Sequence, residues 1–143
     1  MSMKIKVPTF EEFRSHDGLH YRNLWKEVGD RWFCPSCKRS KYEIMRWAKR
    51  FPNRPNAFWG WVAPLHKHHD HSAPYMSSHG RFPMTTICDQ CNSSDGAAKR
   101  KLKLPKDFSF SPQEIGCFVK ATPHGKHEID YELAKAIYDS LNT

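Results

Sequence analysis

Two pairs of cysteines and a run of histidines are the residues of this chain whose types and spacing could bind a metal or transfer a proton. The expected metal ligands are Cys34 with Cys37 and Cys88 with Cys91, each pair spaced Cys-x-x-Cys. Thiolates at this spacing hold one ion from a single tight turn, and two such pairs complete a tetrahedral zinc site. We therefore expect a structural Zn²⁺, with two separate redox pairs as the alternative interpretation.

The histidine run is His66-Lys67-His68-His69-Asp70-His71, which holds four imidazoles and a carboxylate within six positions. Histidine titrates near pH about 6.5, so it can accept a proton from water under neutral conditions. Along an extended strand successive side chains point to opposite faces, so His68 and His69 could do separate jobs. One could bind a metal while the other acts as a base. An exposed polar loop is the alternative.

The second cysteine pair leads directly into a polar and then basic segment. Asn92 and Asp95 lie three positions apart at the start of a helix expected over about 94–103, where they could offer oxygen ligands beside the histidines. Asn92 or Ser93 would also cap this helix. Basic residues follow, and we expect them to contact phosphates, with a solvated helix face as the alternative. They are Lys99, Arg100, Lys101 and Lys103.

Helices are expected on the N-terminal side of these residues. Thr9 and Glu12 form a capping-box pattern, and a second helix is expected over residues 19–28. Another capping box, Ser40 with Glu43, precedes apolar residues at helical spacing. Those residues are Ile44, Trp47, Ala48 and Phe51. The pattern predicts one continuous helix after Ser40.

Two short strands and a helix are expected around the histidine run. Residues 58–62 are aromatic and extended, and Met84–Ile87 would form the second strand, which delivers Cys88. The expected order is therefore strand, loop, strand, helix. Two more helices are expected in the tail, one capped by Ser111 and one beginning at Asp130. The apolar stripe of the last helix fits internal packing or a second subunit, so a homodimer is one of two expectations.

The charge balance favours a polyanionic partner. The 143 residues include 23 Lys and Arg against 15 Asp and Glu, a formal net charge of +8, and nucleic acid is the commonest such partner. This length fits a single domain over residues 1–143. No stretch approaches the roughly 18 apolar residues of a membrane span, and no apolar leader opens the chain. We therefore expect a cytoplasmic protein that does not enter a membrane.

Taken together, these residues resemble the HNH superfamily of ββα-metal, or His-Me finger, nucleases, and the pattern is most similar to its recombination endonuclease VII branch. The resemblance rests on the first cysteine pair, on His68-His69-Asp70-His71, and on the run from Cys88 through Asn92 to Asp95 and the basic residues beyond. It implies an α+β fold, a ββα-metal finger held by a four-cysteine zinc site. This core, over residues 34–104, would lie between helical segments over 1–33 and 105–143.

The resemblance also implies a metal-dependent endonuclease that hydrolyses phosphodiester bonds in double-stranded DNA, of bacterial or phage origin. In this resemblance, His69 corresponds by position to the family's general base, which activates water. His68 and Asn92 correspond to the ligands of its catalytic cation. His71 and Asp95 are similar to supporting active-site residues. Mg²⁺ or Mn²⁺ would be the catalytic ion. His68 replaces the family's aspartate, which would also admit the softer ions Zn²⁺ and Ni²⁺.

Two other functions are compatible with the same residues. Within the class, the chain could be a restriction or homing nuclease that recognises a defined sequence. Outside it, the chain could be a zinc-stapled module that binds nucleic acid without catalysis, which would need neither His69 nor Asn92. Plasmid nicking with Mg²⁺ or Mn²⁺, with and without EDTA, separates an enzyme from a binding module.

Overall fold

The computed structural model describes residues 4–70 and 80–141, which form six helices and three two-stranded antiparallel sheets. The helices are α1 (Phe10–Ser15), α2 (Arg22–Val28), α3 (Lys41–Ile44), α4 (Asp89–Lys101), α5 (Pro112–Phe118) and α6 (Tyr131–Leu141). The strand pairs are β1 (Arg46–Arg50) with β2 (Phe58–Val62), β3 (Leu65–His68) with β4 (Thr85–Cys88), and β5 (Val119–Lys120) with β6 (Glu128–Ile129). The predicted mixture of helices and short strands is confirmed. Within these ranges no helix combines the length and apolar character that a bilayer crossing requires.

Side-chain caps begin several helices where the sequence predicted them. At α1, the Thr9 hydroxyl accepts the backbone N–H of Glu12, whose carboxylate accepts the N–H of Thr9 in return. Ser111 and Glu114 form the same reciprocal pair at α5. The carboxylate of Asp130 accepts an N–H from the first turn of α6 at 3.0 Å. Each cap satisfies backbone donors that would otherwise have no partner in the first turn.

The single helix predicted after Ser40 is wrong beyond Ile44. Its capping box is present, but α3 lasts only four residues and the chain then enters β1, which pairs antiparallel with β2. Trp47 and Trp61 lie opposite each other across this pair, with ring centroids 5.1 Å apart. Aromatic cross-strand pairs stabilise a hairpin, and here that contact outweighs the helical spacing of the apolar residues.

The predicted order of strand, loop, strand and helix is present, with two shifts. Its first strand is β3, whereas the aromatic segment 58–62 forms β2 and pairs with β1. His68 lies opposite Thr85 in the β3–β4 pair. The cap predicted at Asn92 or Ser93 is wrong, because α4 begins at Asp89 with Cys88 as its N-cap. The second cysteine pair therefore spans the N-cap and the first turn of the helix.

The core is centred on the cysteines. Cys34, Cys88 and Cys91 are at most 1% exposed, and apolar side chains from most elements pack around them. These side chains include Ile44, Met45, Leu65, Ile87, Ala98, Phe110, Ile115, Phe118 and Ala134. On α5, Gly116 faces the carbonyl of Ser36 so closely that any side chain there would collide with it. The first cysteine turn is therefore enclosed by the C-terminal part of the chain.

Candidate metal centre and histidine site

The four predicted cysteine ligands converge. Their Sγ atoms all lie within 4.8 Å of one another, with 3.8 Å between Cys34 and Cys91 and between Cys37 and Cys88. A zinc tetrahedron with Zn–S bonds of about 2.3 Å has S···S edges of about 3.8 Å. A disulfide would need about 2.05 Å, so the thiols are free. The cluster can hold a zinc ion, and it is the one convergent group of three or more His, Cys, Asp or Glu in residues 4–70 and 80–141.

Each cysteine pair is presented by a different kind of turn. In the first, the carbonyl of Cys34 accepts the N–H of Lys38 at 2.8 Å, and the N–H of Cys34 donates to the carbonyl of Arg39 at 2.9 Å. Lys38 closes this turn with φ at +67°, in the left-handed region. In the second, Cys88 is the N-cap of α4 and Cys91 lies in its first turn. Two rigid local structures therefore aim the thiols at one point.

Arg39 contacts the cysteine cluster from outside. Its Nε lies 3.3 Å from Sγ of Cys37, and its Nη2 lies 3.5 Å from Sγ of Cys88. Nη1 of the same guanidinium donates to the backbone carbonyls of Thr122 and Gly125. The cation offsets the negative charge of thiolates and also fixes the C-terminal segment against them. This role was not predicted from the sequence, where the one signal for it is a cation two positions after a cysteine pair.

The four thiols do not lose their protons equally. Hydrogen bonds from Cys34, Cys88 and Cys91 lower the pKa of Cys37, whereas the hydrogen bond with Cys34 is the main cause that raises the pKa of Cys91. Each thiolate after the first would have to form beside existing negative charge, which opposes its ionisation. A divalent cation removes that penalty. His127, whose Nε2 lies 3.2 Å from Sγ of Cys91, is a further contact that the sequence did not predict.

His68, the predicted cation ligand, is fixed by one hydrogen bond and one ring contact. It is 2% exposed, and its Nε2 lies 2.6 Å from the carbonyl oxygen of Phe110. Its ring stacks on Phe82, with centroids 5.2 Å apart and planes 13° from parallel. Burial lowers the pKa of His68, although the Phe110 carbonyl and the charge of Asp95 oppose that effect. The neutral imidazole donates from Nε2, because a carbonyl only accepts, and Nδ1 keeps its lone pair.

Asp95 binds Phe110, the residue whose carbonyl also accepts the hydrogen bond from His68. Its Oδ1 accepts the backbone N–H of Phe110 at 2.9 Å, and its Oδ2 pairs with Nζ of Lys99 at 2.9 Å. One residue, Phe110, thus links His68 on β3 to Asp95 on α4. The side chain of Lys99 is only 16% exposed, so its ammonium group is directed to Asp95 and not to solvent.

The other predicted site residues are less tightly enclosed. His69 follows β3 directly and is half-buried, and Asn92 is half-buried within α4. Arg100, Lys101 and Lys103 are exposed near the end of that helix. His71 lies outside the residues that the structure describes.

His66 has a partner that the sequence analysis did not predict. Its Nε2 lies 3.1 Å from Oδ1 of Asp89, and Nη2 of Arg46 lies 3.8 Å from the other carboxylate oxygen. Burial would raise the pKa of Asp89, but the hydrogen bond from His66 and the charges of His66, Arg46 and Arg50 lower it below its ordinary value. These contacts join β1 and β3 to the first residue of α4.

Comparison of the chain with protein-family models, with curated proteins and with solved structures gives no match in any of the three. What the chain can do therefore follows from two features of the molecule itself. One is the cysteine cluster, which is compatible with zinc. The other is the β3–β4–α4 unit, in which Phe110 links His68 to Asp95.

Proposed function

We propose that this chain is a metal-dependent DNA endonuclease of the HNH, or ββα-metal, type, which hydrolyses phosphodiester bonds and carries a structural Zn²⁺ on its four cysteines. The observation that carries the proposal is the hydrogen bond from His68 Nε2 to the Phe110 carbonyl, at 2.6 Å. A histidine that ligates a metal usually donates its other ring N–H to a backbone carbonyl or a carboxylate. His68 has this arrangement at the end of β3, next to the candidate base His69.

The residues present fit a weakly held divalent cation. His68 offers a neutral nitrogen, Nδ1, and Asn92 would offer an amide oxygen from α4, the helix that contacts β3. Two protein ligands leave positions for water and for a phosphate oxygen. Both carboxylate oxygens of Asp95 are already engaged, by Phe110 and by Lys99, which favours a positioning role for Asp95 over direct ligation.

Proton transfer, charge stabilisation and positioning are carried out by different groups of the site. His69 accepts the proton of the attacking water as general base. When bound, Mg²⁺ or Mn²⁺ stabilises the charge that develops on the phosphate and on the leaving 3′-oxygen. Asp95 holds the backbone N–H of Phe110, and the carbonyl of the same residue holds the His68 ring in one orientation. A base and a cation that act on the same phosphate need this fixed geometry.

Backbone contacts would come from the basic end of α4. Arg100, Lys101 and Lys103 are exposed there, and the whole chain carries a net charge of +8. Lys99 contributes less to this surface because its ammonium group is paired with Asp95. Lysine and arginine contacts to phosphates supply affinity without reading sequence.

Plasmid nicking tests the proposal. Wild-type protein should convert supercoiled plasmid to open circles in Mg²⁺ or Mn²⁺, and His69→Ala should lower the rate at least ~10²-fold, the usual contribution of a general base. DNA binding, measured by mobility shift, should stay intact, since His69 is not part of the cysteine cluster at the centre of the core. Brief EDTA treatment should stop nicking without removing zinc, and added Mn²⁺ should restore it.

The exposed His20 provides a matched control, because it lies between α1 and α2 and outside the site. His20→Ala should nick like the wild type. Wild-type rates in His69→Ala would refute the assignment of the base. Tight DNA binding without any nicking, in every metal, would favour a non-catalytic zinc-stapled module.

A further inference from the structure

The β1–β2 hairpin has an unusual composition. Residues 46–62 contain four Lys or Arg, five aromatic residues and no Asp or Glu. Trp59 is 58% exposed and Phe58 is 44% exposed. The two rings are exposed at the same end of the hairpin, and they point to opposite faces because they are successive strand residues. The proposed cleavage chemistry uses neither residue.

The two ends of the hairpin differ. At the base, Trp47 packs against Trp61, and Nζ of Lys6 lies 3.4 Å from the Trp47 ring centroid. The indole N–H of Trp61 donates to the carboxylate of Glu12 at 2.8 Å. N-terminal residues therefore cover this end. The other end, residues 49–59, is mostly exposed, and we refer to it as the hairpin tip.

Cations are concentrated at the hairpin tip. Lys49 is exposed and lies directly opposite Trp59 in the strand register, so both side chains are on one face. Arg50 and Arg54 flank Phe51, with guanidinium carbons 5.4 Å and 5.7 Å from its ring centroid. The Nε of Arg50 is buried and has no hydrogen-bond acceptor among the described residues. The tip itself supplies no carboxylate to balance these charges.

We propose that the hairpin tip binds a nucleic-acid strand with unpaired bases, with one base stacked on Trp59 and an adjacent phosphate on Lys49, which lies opposite Trp59 in the strand register. Every base has a π-face that stacks on an indole, and cations beside the indole attract the backbone. A duplex hides its base faces and cannot use Trp59 in this way. A purely apolar partner would gain nothing from the cations, and an acidic protein partner would not need the exposed ring. This surface goes beyond the proposed cleavage site and does not depend on it.

Fluorescence anisotropy with a labelled single-stranded oligonucleotide and its duplex, without added divalent cation, tests the proposal. Trp59→Thr removes the ring but keeps a residue that favours strands. It should weaken single-strand binding by roughly 5- to 100-fold, the range expected for the loss of one base stack, and change duplex binding little. Trp59→Phe, which keeps a ring, should retain most of the affinity. Phe33→Ala is the matched control, since Phe33 is also 58% exposed but lies elsewhere.

Salt dependence tests the cations separately. Lys49→Gln should reduce the slope of log affinity against log salt by about one unit or less, whereas Lys26→Gln, an exposed lysine on α2, should leave it unchanged. Equal single-strand affinity of Trp59→Thr and wild type would overturn the proposal. The proposal would also be overturned if sedimentation showed that the wild type is a dimer and that Trp59→Thr is a monomer. Trp59 would then lie in an interface between copies of this chain. Nicking activity bears only on the proposed endonuclease, so the two can fail independently.

Discussion

Phe110 uses both of its backbone polar groups to organise side chains. Its carbonyl accepts from His68 and its N–H donates to Asp95, so β3 and α4 are joined through a residue that belongs to neither. Because Asp95 also pairs with Lys99, the arrangement buries an ion pair whose members have no other charged partner in the contacts described above. Burial of this kind makes the loss of one member costly.

Asp95→Asn should therefore destabilise the fold. The amide keeps one acceptor for the Phe110 N–H but leaves the ammonium group of Lys99 half-buried without its counter-charge, at a cost of about 1–3 kcal/mol. Urea unfolding measures this, and the double variant Asp95→Asn with Lys99→Met should recover part of the loss. Asp139→Asn is the control, because its pair with Lys135 is exposed and contributes little. Equal effects of Asp95→Asn and Asp139→Asn would contradict the buried linkage.

At the scale of elements, the cysteine cluster holds the first cysteine turn against the start of α4. Cys88→Ser should open the metal site and abolish the cooperative fold, since the side chain is buried at the centre of the core. Elemental analysis of wild type should give one zinc per chain. Near-ultraviolet circular dichroism should show that Cys88→Ser has lost its fixed tertiary packing. Cys117→Ser, at an exposed cysteine outside the cluster, should keep both zinc and fold. Full zinc content in Cys88→Ser would rule out the four-cysteine site.

Elements were predictable where their cause is local. The capping boxes at Thr9 and Ser111 need only residues three positions away, and both are present. The helix expected through Trp47 failed because its competitor, a cross-strand contact with Trp61, comes from 14 residues further along the chain. Local periodicity contains no information about such a partner.

The residues of the candidate site were likewise predictable only where their cause is local. Spacing alone predicted the four cysteines, because the geometry of Cys-x-x-Cys is set within one turn. The contacts of Arg39 with Gly125, of His68 with Phe110 and of His127 with Cys91 could not be predicted, since these partners lie 36 to 86 residues apart in sequence. Those contacts exist only once the C-terminal third has folded back on the cysteine cluster.

At the scale of the whole molecule, the half-buried His16 and the buried His68 contribute to the dependence of stability on pH. Burial lowers the pKa of His16, and the charge of Lys41 adds to that effect while Asp17 opposes it; burial lowers the pKa of His68 as well. Because the folded-state pKa values lie below the unfolded value of about 6.5, the unfolded chain binds more protons as the pH falls. The stabilisation is therefore complete above about pH 6.5 and is lost as the pH falls through the folded-state values.

We expect the urea midpoint of the wild type to fall between pH 7 and pH 5, approximately the range below the unfolded histidine pKa. His16→Phe should flatten this slope, since phenylalanine can keep the edge contact that His16 makes with Trp25 but cannot take up a proton. The same substitution at the exposed His20 should leave the slope as it is. An identical pH profile in wild type and His16→Phe would exclude His16 as a contributor.

The contacts of Arg39 with Thr122 and Gly125 have a consequence for the order of events during synthesis on the ribosome. All four thiols have been translated once Cys91 is complete, about 30 residues before the carbonyls that Arg39 binds. A nascent chain can thus capture its ion first and enclose it later, when the C-terminal segment arrives. We expect an ion held by the nascent chain to exchange readily until that segment docks, and slowly afterwards.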